Sequence, residues 1–332
     1  MTGGAGFLGS HLCEYLITQG HEVICIDNLI TGDLENLGNI RNDANFRFVE
    51  HDISDSFSSR EKIDYVFHLA SPASPRDYIE YPIVTLKAGA FGTYHMLELA
   101  KYHRARFLLA SSSEVYGDPK ANPQYEEYLG NVSCIGPRAV YDEAKRYAEA
   151  MTMAYHRSCA VETRIARIFN TFGPGMRLYD GRAVPNFIGQ ALRGEPMTVY
   201  GDGSQTRSFC YISDMIDGLH RLMMSDYSSP MNLGNTEELS ILEFAKLIRK
   251  LTNSVSEIVF MDAIEDDPMQ RKPDISKAKK YLDWKPKVNL RKGLEMTVDY
   301  YVRKLRLIKK TQSKNEREGK RTRRLTHPLT EK

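Results

Sequence analysis

Tyr141 and Lys145 stand four residues apart in Tyr-Asp-Glu-Ala-Lys, a stretch with helical patterning. Residues at that spacing share one helix face. A phenol would therefore lie beside an ammonium, whose charge stabilises phenolate and lowers the tyrosine pKa from its ordinary value of about 10. Such a tyrosine can act as a base near neutral pH. The spacing alone is common by chance, so its weight comes from what precedes it. Residues 107–117 read Phe-Leu-Leu-Ala-Ser-Ser-Ser-Glu-Val-Tyr-Gly, a buried strand ending in hydroxyls and a carboxylate. Open parallel sheets bind ligands at the carboxyl ends of their strands. Ser112 would then hold a reacting oxygen beside Tyr141, with Glu114 close by. The bland reading makes Glu114 a turn carboxylate.

The elements that must position these groups begin at the first residues. Gly3, Gly6 and Gly9 form a G-x-x-G-x-x-G loop before a helical pattern over 11–19. Such a loop lets backbone N–H groups approach a pyrophosphate at a helix N-terminus. Glu22 to Ile26 is strand-like and ends in Asp27, 18 residues after Gly9. That is close to the ~20 expected of a carboxylate on an adenosine ribose. A carboxylate there repels a 2′-phosphate, which favours NAD over NADP; otherwise Asp27 is a strand-end turn residue. Phe46 to Asp52 gives a second strand, ending in an acid suited to the adenine edge, and Ile63 to Ala70 a third. Strands alternating with helical stretches imply an α/β fold with a Rossmann-like doubly wound parallel sheet. Only Met1 and Thr2 stand where the strand leading into the glycine loop should be. Loss of a central strand would leave neighbouring backbone groups unpaired, at about 1–3 kcal/mol each. The expectation is a truncated first strand, with roughly five to seven apolar residues upstream in the intact protein.

Composition narrows the class. A length of 332 residues suggests about two domains. With 42% hydrophobic and 27% charged residues, the chain reads as soluble and globular. No apolar run approaches the ~20 residues of a membrane helix, and no signal peptide is visible. Five cysteines without C-x-x-C spacing argue against a disulfide framework and fit a reducing cytoplasm. The histidines show no metal-ligand spacing, so no metal is expected. From Arg303 onward, 12 Lys and Arg face three Glu, leaving an acidic body and a basic tail. The tail reads as disordered. The acidic body argues against nucleic-acid binding.

The glycine loop, the Ser-rich strand end and Tyr-x-x-x-Lys together resemble the extended short-chain dehydrogenase/reductase superfamily. Arg167-Ile-Phe-Asn-Thr-Phe-Gly-Pro174, Val199-Tyr-Gly-Asp-Gly-Ser-Gln-Thr-Arg207 and Asn232-Leu-Gly-Asn235 resemble its nucleotide-sugar branch. Within that branch the resemblance is closest to the UDP-glucuronate decarboxylases, from residue 1 to about 304. It is carried by His68-Leu-Ala-Ser-Pro-Ala-Ser-Pro75, Ser113-Glu-Val-Tyr-Gly-Asp-Pro119, Ile135-Gly-Pro-Arg138 and Asp266-Asp-Pro-Met-Gln-Arg-Lys-Pro-Asp274. The resemblance implies a larger NAD domain over 1–174, with later segments interleaved. A smaller α/β nucleotide-sugar domain would span 175–304, ahead of the basic tail at 305–332.

Carried over residue by residue, the resemblance implies NAD contacts from Gly3, Gly6, Phe7, Leu8 and Gly9 in the loop. Asp27, Asn28, Thr31, Gly32, Asp52 and Ile53 follow from the next two strand ends, and Leu69, Ser71, Ala110, Tyr141 and Lys145 complete the set. It implies UDP-sugar contacts from Lys87, Asn170, Arg177, Arg182, Asn186, Tyr200, Arg207 and Arg271. Catalysis would rest on Ser112, Glu114, Tyr141, Lys145 and Arg271. Arg271 is open between diphosphate, sugar carboxylate and C5 protonation. A homodimer is expected, through helices near 84–102 and 141–156.

The residues favour decarboxylation over the chemistries of related branches. Dehydratases of this type carry an Asp-Glu pair after the active-site hydroxyl, and here Ser113 stands in place of the Asp. C4 epimerases have small residues where Glu114 stands. Oxidation at C4 of UDP-glucuronate would give a β-keto acid, which loses CO₂ readily, and hydride returned to C4 would yield UDP-xylose. Release of the 4-keto pentose with NADH is the competing enzymatic reading, and an inactive nucleotide-binding fragment the non-enzymatic one. Gly89 stands where the superfamily commonly has asparagine, which puts a water relay there in doubt. Gly175 stands where many decarboxylases carry arginine, with Arg177 as the expected substitute.

Overall fold

The computed structural model describes residues 1–263 and 268–306. The basic tail beyond 306 and the Asp266-Asp267 part of its motif lie outside the described residues. The first half alternates as the sequence predicts. It runs α1 (Phe7–Thr18), β1 (Val23–Asp27), β2 (Phe46–Glu50), β3 (Tyr65–His68), α2 (Pro75–Glu80), α3 (Pro82–Lys87), α4 (Thr93–His103), β4 (Arg106–Ser112), α5 (Ala139–Cys159) and β5 (Thr163–Ile168). Then come β6 (Thr171–Phe172), α6 (Ala183–Arg193), β7 (Met197–Tyr200), β8 (Thr206–Ser208), β9 (Cys210–Tyr211), α7 (Ile212–Met224) and β10 (Pro230–Leu233). The rest is β11 (Glu238–Ser240), α8 (Ile241–Leu251), β12 (Ile258–Met261), β13 (Gln270–Arg271), α9 (Ser276–Leu282) and a helical stretch over 290–306.

The main sheet is parallel. β1 pairs with β2, and β3, β4, β5 and β10 follow in that order. Between β1 and β3, Thr2 forms parallel bridges to both Ile26 and His68. Its N–H donates to Phe67 O at 2.9 Å, and Leu69 N–H donates back to Thr2 O at 3.2 Å. The Met1 ammonium donates to Ile24 O at 2.9 Å, and burial lowers its pKa. Thr2 thus occupies the central-strand position and leads straight into the glycine loop. The buried His68 ring fixes it. Nδ1 meets Thr2 Oγ1 at 2.8 Å and Nε2 meets Thr93 Oγ1 at 3.2 Å. Burial, with Lys145 nearby, holds that imidazole neutral, down to about 3.

β4 shows why such strands read as unbroken apolar runs. Six of its seven residues are buried, since helices cover both faces. α1 buries Leu12 and Leu16, one turn apart, and packs on α7. The later strands form small sheets: β7 with β12, β8 between β11 and β13, and β6 with β9. Trp284 is fully buried beneath α7 and donates from Nε1 to Asp214 O at 2.9 Å. Residues 82–103 run as helix, with a π-helical segment at Ala88–Gly92. At Gly89 a Cβ would come within 2.7 Å of Ala144 Cβ, so glycine here lets that segment press onto α5 beside Lys145.

Two glycines are required by geometry. Gly3 has φ +68°, and a Cβ there would lie 2.7 Å from Ala70 N. A Cβ at Gly9 would overlap the Gly3 carbonyl oxygen, so the first turn of α1 could not close on the loop. Gly9→Ala is expected to destabilise the protein by about 1–3 kcal/mol, the usual scale of overpacking. Thermal denaturation checks this; an unchanged midpoint would show that the close approach is dispensable.

Candidate functional site

One cleft of about 440 Å³ opens along the carboxyl ends of β1, β3, β4 and β5, where α1 and α5 begin. The glycine loop forms one wall. Helix α1 starts at Gly6 with no side-chain cap, which leaves its first N–H groups for an anion. Asp27 is buried, and its two oxygens accept from Ala5 N–H at 3.0 Å and Leu29 N–H at 2.9 Å. It therefore ties the loop to β1 as well as lining the cleft. Burial raises its pKa, with the two backbone N–H groups opposing. Asn28 donates to Asp52 at 3.0 Å, which orients the acid after β2.

The chemistry-bearing residues converge at the end of β4. Ser112 accepts from Glu114 N–H at 3.2 Å and caps the short 3₁₀ turn Ser113–Tyr116. Tyr141, in the first turn of α5, is buried and lies beside the Ser112 side chain. Lys145 lies 5.6 Å from the centre of the Tyr141 ring and donates to Ala110 O at 2.9 Å. The expectation that Lys145 lowers the tyrosine pKa is not met in this arrangement. Burial raises Tyr141, with Ser112 and Arg182 opposing and Glu114 and Asp142 adding. Burial also lowers Lys145, to about 8, with Glu149 opposing. Both charged forms lose water, and that loss outweighs their mutual influence.

Glu114 is no turn carboxylate. Arg138 donates to it at 2.7 Å, and Arg271 approaches with both guanidinium nitrogens, Nη1 closely and Nη2 at 2.9 Å. Burial pushes the carboxyl up, but Arg271 and then Arg138 outweigh it and hold it below the usual range. Arg207 adds to the same field.

On the sugar side, Asn170, Arg177, Arg182, Asn186, Tyr200, Arg207 and Arg271 all line the cleft. Arg177 pairs with Asp77, and Arg182 with Asp180, whose other oxygen accepts Arg182 N–H at 3.0 Å. Gly3, Gly6, Phe7, Leu8, Gly9, Asn28, Thr31, Asp52, Ile53, Leu69, Ser71 and Ala110 line the other side of the cleft.

Two expected positions do not reach it. Lys87 ends α3 with an exposed side chain and is not among the residues lining the cleft. Gly32 instead backs Asp27, since a Cβ there would stand 2.7 Å from Asp27 Oδ1. Other residues escaped sequence reasoning. Arg138 was visible in Ile135-Gly-Pro-Arg138, one turn before Tyr141. Tyr78, which stacks on Tyr141 at 5.2 Å and 15°, had no local signal. The branch motifs supply Asn170, Tyr200 and Arg207 to the cleft, and their other residues brace the fold. Arg167 grips Glu149 with Nε at 2.9 Å and Nη2 at 2.7 Å, Ser111 donates to the same carboxylate at 2.6 Å, and Tyr116 donates to Asn232 at 2.8 Å.

The family model described as GDP-mannose 4,6 dehydratase matches residues 1–297. The UDP-glucuronic acid decarboxylase 1 of Xenopus tropicalis is 53% identical over 305 residues, covering 92% of this chain and 72% of that protein. The UDP-glucuronic acid decarboxylase 1 of Arabidopsis thaliana is 51% identical over 321 residues, covering 96% and 71%. The chain belongs to the UDP-glucuronate decarboxylase family. That family sits within the extended short-chain dehydrogenases/reductases, and solved structures agree. The UDP-glucose 4-epimerase of Thermotoga maritima, solved with UDP-glucose, superposes with a TM-score of 0.85 at 31% identity, over 92% of this chain and 98% of that one. A UDP-glucuronic acid 4-epimerase mutant from Bacillus cereus, solved with UDP-4-deoxy-4-fluoro-glucuronic acid and NAD, gives 0.82 at 31%, over 90% and 97%.

The clamp on Glu114 makes a stability prediction. A depressed carboxyl stabilises the fold above its unfolded pKa, near 4.5, and that contribution is lost as pH falls through the lower folded value. Glu114→Gln leaves two guanidinium groups facing each other without the charge between them. It should cost about 3 kcal/mol at neutral pH, and the cost should shrink in acid. Chemical denaturation across pH checks both; an equal midpoint at pH 7 would remove the clamp from the stability of the fold.

Proposed function

We propose that this protein decarboxylates UDP-glucuronate to UDP-xylose through a UDP-4-keto intermediate, with NAD regenerated in each cycle. The observation that carries the reading is Glu114 held by Arg138 and Arg271 beside Ser112, Tyr141 and Lys145. A base for a hydroxyl and a cationic seat for a carboxylate share one cleft. In a glucuronate the carboxylate is borne by the ring carbon next to C4, so both groups are wanted together. Ser113 supplies no acid for expelling a hydroxyl, which separates this site from dehydratases.

The residues fit a dinucleotide. The close approach at Gly3 and Gly9, the uncapped start of α1 and the carboxylates of Asp27 and Asp52 would hold pyrophosphate, ribose and adenine. Bound there, NAD supplies the hydride acceptor and donor for C4. Asp27 favours NAD over NADP by charge. In our reading Tyr141 takes the proton of the C4 hydroxyl, steadied by Ser112. Loss of CO₂ moves the C5–C6 bonding electrons toward the C4 oxygen, where Ser112 and protonated Tyr141 stabilise the enolate. Arg271, with Arg138, faces the departing carboxylate, and a proton then adds at C5. Lys145, fixed by Ala110 O, keeps a positive charge close to Tyr141.

In our reading residues 1–174, with later segments such as β10 interleaved, mainly hold the cofactor and 175–304 mainly the UDP-sugar, with Asn170 joining the sugar side; both parts line the cleft. The cysteines are free thiols, which suits a reducing cytoplasm. No described helix is long and apolar enough to cross a membrane. A homodimer would cover the apolar face that α3, the π-segment, α4 and α5 leave open, where Ile83 is 63% and Phe91 53% exposed, with Leu86, Tyr94 and Tyr147 beside them.

Incubation with UDP-glucuronate and analysis of the product tests the assignment. UDP-xylose without net NADH is expected, whereas a 4-keto pentose with stoichiometric NADH would replace this reading with the releasing one. Tyr141→Phe should lower turnover by about 10²–10⁴-fold, the range of a lost acid–base group, while UDP-sugar affinity changes little. Normal turnover in that variant would refute the mechanism. For assembly, light scattering at micromolar concentration should give twice the chain mass of 37.9 kDa, and a monomer there contradicts the pairing.

A further inference from the structure

The Glu114 cluster has a member that neither the motifs nor the mechanism uses. Asp142 follows Tyr141 in α5, one turn beyond Arg138. It is 6% exposed, and its Oδ1 has no hydrogen-bond partner. Buried carboxylates are ordinarily paired or neutral.

The described charged groups acting on it come from several elements. They are Glu114 after β4, Arg138 at the start of α5, Arg271 of β13 and Glu143 of α5 itself. Tyr78 of α2 and Tyr141 complete the ring. The Tyr78 hydroxyl is likewise buried without a partner. Glu114 has the close guanidinium contacts, so Asp142 is the carboxylate that can become neutral without breaking a hydrogen bond. Burial, and then Glu114, raise it to about 7, with Arg138 and Arg271 opposing.

If the C4 oxygen of the sugar meets Tyr141, the C6 carboxylate is borne on the adjoining ring carbon and must enter this cluster. That would place three carboxylates in one buried site. We propose that Asp142 is a positioning residue that takes up a proton from solvent when the sugar carboxylate binds. The site then holds two carboxylates and one carboxylic acid, with the neutral acid beside Tyr141. This rests on the decarboxylase reading.

The sign follows from linkage. UDP-glucuronate binds the protonated form better, so its affinity falls as pH rises past 7, by up to about tenfold per unit. UDP-glucose carries no carboxylate and should lack this dependence.

Titration calorimetry in two buffers of different ionisation heat reads the protons directly. The full chain with NAD is used, in the Tyr141→Phe background so that turnover does not intrude. At pH 7, UDP-glucuronate should take up about half a proton per site, the fraction missing from a group titrating there. UDP-glucose should take up none. Adding Asp142→Asn should abolish the uptake and flatten the pH dependence, which loss of packing alone would not do. Equal uptake with the two sugars overturns the proposal, as does undiminished uptake in Asp142→Asn. The comparison of sugars decides alone if that variant does not fold. Failure of UDP-glucuronate to bind at all overturns the decarboxylase reading as well, whereas binding without extra uptake overturns this inference alone.

Discussion

The Glu114 carboxylate between two guanidinium groups is the interaction on which the cleft depends. It joins the end of β4, the start of α5 and β13, which lie up to 157 residues apart in sequence. Buried ion pairs are weak evidence of net stability, because desolvation offsets much of the attraction. Their value here is positional. Arg138 stands three residues before Tyr141, and Ser112 two residues before Glu114. A single carboxylate therefore sets the distance between the tyrosine helix and the serine strand end. It also brings Arg271, from the far end of the chain, to the same place.

Burial decides the protonation of the pair that first drew attention. On a bare helix, Lys145 would pull Tyr141 toward phenolate. In the folded protein neither side chain keeps its water, and Lys145 gives a hydrogen bond to Ala110 O instead. Desolvation moves the two groups in opposite directions, tyrosine up and lysine down to about 8, so near neutral pH the tyrosine stays neutral while the lysine keeps most of its charge.

The features legible in the sequence were those with local requirements. A glycine that needs φ +68°, or that lies against a carbonyl oxygen, announces itself by residue type, and so did the loop. Parallel strands announced themselves as apolar runs ending in acids or hydroxyls, as β1 and β4 do. The small sheets around β8 and β13 did not, since strands of two or three residues carry no period. Lys87 and Gly32 stand outside the cleft lining although their sequence neighbours Ala88 and Thr31 belong to it. Motif position fixes a Cα but not which groups face the cleft: Lys87 is exposed, and Gly32 lies against the Asp27 carboxylate. Asp142 and Tyr78 were invisible for a deeper reason. Each is defined by what surrounds it, and those neighbours come from four separate segments.

The arginines of the cleft follow one design. Arg177 has Asp77, Arg182 has Asp180, and Arg138 and Arg271 share Glu114. A bare guanidinium on a flexible stem loses side-chain freedom when it grips a phosphate, which costs affinity. A resident carboxylate takes that loss during folding instead. It also lowers the net charge, so the empty cleft is not forced open by repulsion. The cost is weaker attraction for each incoming anion, because part of every positive charge is already answered. A ligand with a single negative group would gain little from such a site. One with a diphosphate at one end and a carboxylate at the other has the charges to engage several of these arginines at once. The selectivity such a cleft can offer lies in the spacing of the paired arginines rather than in the strength of any one.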